Sequence, residues 1–354
     1  MTDDIDSCNL PPKPLLIFSF IVVTLISAAG EKAWPQASYL PGRRTVTDAH
    51  NCHPYDGRWA DRIDRALATG LPIAIEQDLN WYPATSTEPG RVVVGHGAQH
   101  TVLTKGGQLT GVEPDFDKYF FDHVKPAVEM ALKSKDHSNW PIITLNQDFK
   151  SEEPELLQAV WAILQRHQAW LTKATKTTGG AVGSLTVGPI LVLNGPSDQQ
   201  QAAFYDRLAP GDQLLTFGAV HTNMRDLGAA ADVIEIEPAS NYRRWWNNPW
   251  TVVEPEGQSK AGQWSPDTAS RLQRLVAHAH TQGLWIRFYT LDGATVAQQS
   301  EFGWFRQYNF PSQSAAEDRW RAAISLGVDY LATDQFEIFA NLLKHQAAGT
   351  PIPK

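Results

Sequence analysis

The sequence predicts one α/β domain, a (β/α)8 TIM barrel with long loop insertions, and three observations predict it. The chain has 354 residues, 42% hydrophobic and only 19% charged, enough to bury one large core. Eight short apolar runs alternate with amphipathic stretches, the pattern of parallel βα units. No Gly-rich turn follows the first run, as a doubly wound nucleotide-binding sheet would require.

The strand candidates are 45–51, 72–81, 141–150, 185–194, 213–220, 232–238, 284–290 and 330–333. Helical stretches fall at 58–68, 154–173, 199–208 and 268–281. In the second of these, Leu156, Leu157, Val160, Ile163 and Leu164 recur at the spacing of one helix face. Segments 242–264 and 292–314 break the rhythm and are rich in Trp, Phe, Asn, Gln and Gly. They read as long loops over one end of the barrel.

Residues 15–26 (LLIFSFIVVTLI) form an apolar run followed by Ser27, Ala28, Ala29 and Gly30. The run is short of the ~20 residues a membrane span needs, and suits the core of an export signal. The leader before it is acidic, with Asp3, Asp4 and Asp6 against Lys13, unlike the usual positive start. The expected organisation is therefore a signal peptide or anchor over 1–30, a linker over 31–44, one catalytic domain over 45–345 and a tail over 346–354. Export to the periplasm or medium follows, with an anchor through 15–29 as the variant. The chain carries 30 Lys+Arg against 38 Asp+Glu, a net charge of −8, with no basic block, which excludes the footprint of a nucleic-acid binder. Two cysteines, Cys8 and Cys52, make neither a disulfide framework nor a thiolate metal site.

Reactive groups of such a barrel sit at the C-terminal ends of its strands. The first strand ends in His50 and Asn51. The second carries Glu76 and Asp78, which a two-residue alternation places on one face. The third places Asn146, Asp148 and Lys150 on one face by the same rule. Buried like charges repel and are costly to desolvate, so stacked carboxylates in a barrel mouth call for a cation. An all-oxygen set favours Mg2+ or Ca2+ over Zn2+, and Lys150 beside it would suit a phosphate oxygen. His96 ends another short run, VVVGHG, and with His50 offers an acid and a base near neutral pH.

This order of histidine, E-x-D, histidine and D-x-K resembles the phospholipase-C-like phosphodiesterase barrels. That superfamily includes glycerophosphodiester phosphodiesterases, phosphatidylinositol-specific phospholipase C and the sphingomyelinase D type. The matching positions are His50, Glu76-Gln77-Asp78, Val93-Val94-Gly95-His96 and Asp148-Phe149-Lys150. GVDYLATD (327–334) resembles the family's last strand and LWIRFYT, with Tyr289, its penultimate one. The resemblance implies a metal-dependent phosphodiesterase with His50 and His96 as acid and base. It also implies one divalent cation, Mg2+ or Ca2+, on Glu76, Asp78 and Asp148, and substrate contacts from Lys150, Asn51 and Tyr289. A small-molecule or lipid phosphodiester would be the substrate, with membrane-surface contact if it is a lipid; oligomeric state is left open. Three positions depart from the glycerophosphodiesterase pattern. Asn51 stands where an arginine follows the histidine, Gly97 where an aspartate follows the second histidine, and Asp148 in place of a glutamate. Asp-x-Lys is closer to the sphingomyelinase D type.

Two other readings compete. Glu235 and Glu237, two apart in VIEIEP, would support a metal-free glycoside hydrolase with two carboxylates. A non-catalytic binding barrel would not need both histidines and all three carboxylates. His278 and His280 read as surface residues on a helix. Trp245, Trp246 and Trp250 fit either an apolar lid or the packing of a long loop.

Overall fold

The computed structural model describes residues 38–54, 59–97, 113–222 and 234–347. The predicted leader and the end of the tail lie outside them. In chain order the elements are β1 (Val46–Ala49), α1 (Arg62–Ala68), β2 (Ile73–Tyr82), β3 (Arg91–Val94), α2 (His123–Lys133), β4 (Ile143–Phe149) and α3 (Pro154–Arg166). Then come β5 (Lys173–Thr175), β6 (Leu185–Thr186), β7 (Ile190–Asn194), α4 (Asp198–Gln201), β8 (Gln213–Leu214), β9 (Phe217–Ala219) and β10 (Arg243–Pro249). The last are α5 (Pro266–Thr281), β11 (Trp285–Tyr289), α6 (Val296–Phe302), α7 (Gln313–Ser325), β12 (Tyr330–Thr333) and α8 (Phe336–Ala347).

Eight strands run parallel in the order β1-β2-β4-β7-β9-β10-β11-β12, and β12 pairs back onto β1. The sheet is thus a closed (β/α)8 barrel, as the sequence predicts. β3 lies antiparallel on β2, and β5, β6 and β8 make a small separate sheet. Alternation on β2 separates two environments. Ile73, Ile75 and Leu79 join the core that holds Leu145 of β4 and Leu156, Val160 and Leu164 of α3. Burial of each such side chain stabilises by about 1.5–3 kcal/mol. Glu76, Asp78 and Asn80 take the other face. Helix α3 begins with Pro154 in its first turn, where the missing N–H has no helical partner to lose, and α5 is capped by the Ser265 hydroxyl accepting from Thr268 N at 3.2 Å.

The sixth barrel strand differs from the expected one. The described part of 232–238 forms no strand, and both Glu235 and Glu237 are exposed. β10 fills the position instead, inside the segment read as a loop. Its sequence, RRWWNNP, looks polar because it starts with two arginines. Arg243 is matched by Asp198 and by the carbonyls of Pro196 and Ala219, and Arg244 donates to the carbonyls of Asn241 and Gly183. All but Asn241 are remote in sequence, so local hydropathy gives no sign of them. The runs 185–194 and 213–220 each split into two strands, and α2, α7 and α8 lie outside the predicted helical stretches, as does α6, within the segment 292–314 expected as a loop. The described end of the linker is pinned: Gly42 N donates to Asp329 Oδ1 at 2.7 Å, and Trp285 Nε1 to the Tyr39 carbonyl at 2.6 Å. His278 and His280 are half-buried and bonded, to the Ile234 carbonyl and to Asp329, rather than free on the surface.

Trp245, Trp246 and Trp250 are all buried to 1% exposure or less, which decides for packing over a lid. Trp246→Ala is expected to destabilise the fold by about 3–5 kcal/mol, read as a lowered urea midpoint, because it opens a cavity in a filled core. An unchanged midpoint would return Trp246 to a lid role.

Candidate active site

Strand register builds the site. β2 and β4 pair with Glu76 opposite Asn146 and Asp78 opposite Asp148, so three carboxylates meet at adjacent strand ends. One oxygen from each of Glu76, Asp78 and Asp148 lies within 4.8 Å of the others. β3 folds back on β2, and Gly95 N donates to the Asp78 carbonyl at 2.9 Å, which brings His96 beside the carboxylates. His50 follows directly on β1. His50, Asn51, Glu76, His96, Asp148, Lys150 and Tyr289 line one cavity of about 520 Å³. Asp78 is fully buried beneath them and reaches Lys150 Nζ at 3.4 Å.

Three further residues complete the site. Arg287, buried on β11, donates to Asp48, to Glu76 Oε2 at 2.9 Å and to Asn247 Oδ1 at 3.0 Å. Its partners make Arg287 harder to deprotonate despite burial. His53 is 1% exposed and holds Asp78 Oδ2 at 3.1 Å. Asp334, at the end of β12, lies 3.4 Å from His50 Nδ1 and 3.2 Å from Arg62 Nη2. Each carried a sequence signal: an arginine inside an apolar strand, a second histidine in HNCH, and an aspartate ending LATD. What was absent was any local sign of the partner. Asn51 adopts φ 48°, a region Asn tolerates, and its amide lies 2.9 Å from His50 Nδ1. It touches the histidine ring and lines the cavity.

The two histidines are driven apart. Burial opposes a charge on His50, but the Glu76 and Asp334 carboxylates outweigh it and push its pKa up to about 9. Burial lowers His96, and the charges of Lys150, His53 and His50 add to that effect against Asp78. Asp78 is held well below the usual carboxylate range: burial works against this, and Lys150 and His53 prevail. Asp292, beside Asp334, is pushed up to about 7 by burial and by that neighbour's charge. One acid and one base with separated pKa values is the arrangement general acid–base chemistry uses.

The carboxylates also suit a cation. Asp78 Oδ1 is buried with no hydrogen-bond partner, and the donor set is all oxygen. Lys150 Nζ lies 2.6 Å from Asp148 Oδ2, so internal charges already offset part of the repulsion expected from sequence. The glycoside hydrolase pair finds no support: Glu235 and Glu237 are exposed, lie outside any strand and do not line the cavity.

Fold and site together define a (β/α)8 barrel whose mouth is a polar cavity with two histidines, three close carboxylates and a lysine. No protein-family model matches the chain, and no curated protein matches it. Among solved structures, the chain is similar to a glycerophosphoryl diester phosphodiesterase from Parabacteroides distasonis ATCC 8503, with a TM-score of 0.40 and 11% identity over 90% of each chain. It is also similar to a protein from Agrobacterium tumefaciens str. C58 assigned as a glycerophosphoryl diester phosphodiesterase, with a TM-score of 0.31 and 12% identity over 86% of this chain and 99% of the other. At such values the barrel rests on its own closed strand order, and the function on the site.

Proposed function

We propose that the chain is a metal-dependent phosphodiesterase that cleaves a lipid- or glycerol-derived phosphodiester by histidine acid–base catalysis. The observation that carries this reading is the convergence of His50, His96, Glu76, Asp78, Asp148 and Lys150 on one cavity from adjacent strand ends. A divalent cation on Glu76, Asp78 and Asp148 would neutralise phosphate charge and stabilise the charge that develops during transfer. Lys150 contacts a phosphate oxygen from beside them. His96, disfavoured as a cation, takes the proton from the attacking hydroxyl or water. His50, bracketed by Glu76 and Asp334, keeps its proton and delivers it to the leaving alkoxide. Arg287 holds Glu76, which lines the cavity, and His53 holds Asp78 behind it, so both carboxylates are fixed in orientation.

The test is a panel of glycerophosphodiesters and phospholipids assayed with Mg2+, with Ca2+ and with EDTA, the products resolved by phosphorus NMR. Turnover that EDTA abolishes and either ion restores is expected. A cyclic product would identify attack by a neighbouring substrate hydroxyl, and a linear one attack by water. Full turnover in EDTA would remove the metal from the mechanism, and no turnover on any diester would remove the function.

A further inference from the structure

Resting on that phosphodiesterase reading, we propose that the cavity wall formed by Glu152, Ser197 and Gln200 is a subsite for a primary ammonium group on the substrate's alcohol portion. All three residues line the cavity that holds His50, His96 and Lys150. Glu152 Oε2 accepts from the Ser197 hydroxyl at 2.7 Å, and Oε1 accepts from Gln200 Nε2 at 2.7 Å. The Gln199 amide, with its nitrogen turned toward Glu152, adds a donor to Oε2 at 3.2 Å. Every one of these partners is neutral. His221, which lines the same cavity, is paired with Asp198 at 3.0 Å, as is Arg243 at 3.1 Å. Glu152 therefore presents a fixed carboxylate whose charge no described side chain offsets through an ion pair.

A second observation points to a ligand. Gln200 is 4% exposed, and with Nε2 engaged by Glu152 its Oε1 is buried without a hydrogen-bond partner. A buried acceptor left unmade costs free energy until a donor arrives. Gly195 packs closely against it: a Cβ there would sit 3.3 Å from that oxygen and 3.4 Å from Nε2. The missing group must bring positive charge for Glu152 and an N–H donor for Gln200. A primary ammonium supplies both, with three donors on one cation. A quaternary ammonium brings charge without a donor and is better served by aromatic faces. A hydroxyl brings a donor without charge.

Lys150 and Glu152 start from neighbouring points on the same cavity wall. The Cα atoms of Lys150 and Glu152 are two residues apart, hence at most about 7 Å. A phosphate oxygen at Lys150 and an ammonium at Glu152 then suit a short linker, as in a 2-aminoethyl phosphodiester.

The test compares kcat/KM for three glycerol phosphodiesters that differ only in the second alcohol: 2-aminoethanol, its trimethylated analogue choline, and ethylene glycol. The wild type is expected to favour the 2-aminoethyl diester about ten- to hundredfold, the size of one charge-assisted hydrogen bond. Glu152→Gln is expected to erase that ratio, whereas a merely structural Glu152 would lower the melting temperature and leave the ratio intact. If Glu152→Gln does not fold, Gly195→Ala crowds the Gln200 oxygen with Glu152 in place and should lower the same ratio. Equal kcat/KM for the three diesters, or a ratio that survives both variants, overturns the subsite while the phosphodiesterase function stands. If no diester is cleaved, the function falls, and calorimetry with glycerophosphoethanolamine and glycerophosphocholine decides the subsite: binding of the first alone supports it, and binding of neither or both equally overturns it.

Discussion

His50→Ala is expected to lower turnover of an unactivated dialkyl phosphodiester by about two to four orders of magnitude, the usual contribution of a general acid. The same substitution should harm a nitrophenyl ester far less, because nitrophenolate leaves without a proton. His96→Ala should lower both substrates alike, since both need the attacking oxygen deprotonated. The asymmetry follows from surroundings. His50 lies between Glu76, at 3.7 Å, and Asp334, at 3.4 Å, and holds its proton up to about pH 9. His96 is shifted the other way by burial and neighbouring cations. The profile of turnover should therefore be bell-shaped. Its acid limb falls where His96 becomes protonated, below the ordinary histidine value. Its alkaline limb falls as pH rises through His50, near 9 before any cation adds its own field. Equal losses on both substrates in both variants would end the acid–base division and leave two cations that bind phosphate together.

Asp78→Asn is expected to weaken Mg2+ or Ca2+ binding by at least the tenfold to hundredfold typical of losing a supporting group at a metal site, read by calorimetry. Repulsion among carboxylates, taken alone, predicts that neutralising one leaves the apo fold untouched or improved. The contacts predict otherwise. Asp78 is fully buried and holds both His53, at 3.1 Å, and Lys150, at 3.4 Å. Breaking such a buried pair costs about 3–5 kcal/mol. The urea midpoint of the apo protein should therefore fall together with metal affinity. Glu76→Gln should behave alike, because Arg287 would lose one of its two carboxylates. Metal affinity unchanged in Asp78→Asn would remove these residues from the metal site.

Much of the site was legible because its parts obey local rules. A two-residue alternation within β2 and β4 is enough to place Glu76 with Asp78, and Asn146 with Asp148 and Lys150, on common faces. The ends of parallel strands are where a barrel keeps its reactive groups. His53, Asp334 and Arg287 were missed for the opposite reason. Each matters through a partner on another strand, and Arg287 meets Asp48 and Glu76 across 239 and 211 residues of chain.

The sequence by itself determined the barrel class, most of its strands, and the residue types gathered at their ends, because hydrophobic periodicity is set by neighbours a few positions apart. Tertiary structure alone decided that β10 rather than 232–238 is the sixth strand, since the charges at its start are matched by groups remote in sequence. It also decided that Arg287 lies among the carboxylates, and that the pKa of His50 is pushed up while that of His96 is pushed down. These outcomes depend on which charges closure of the sheet brings within a few ångströms, and electrostatic strength there is set by distance and burial, neither of which a linear order of residues contains.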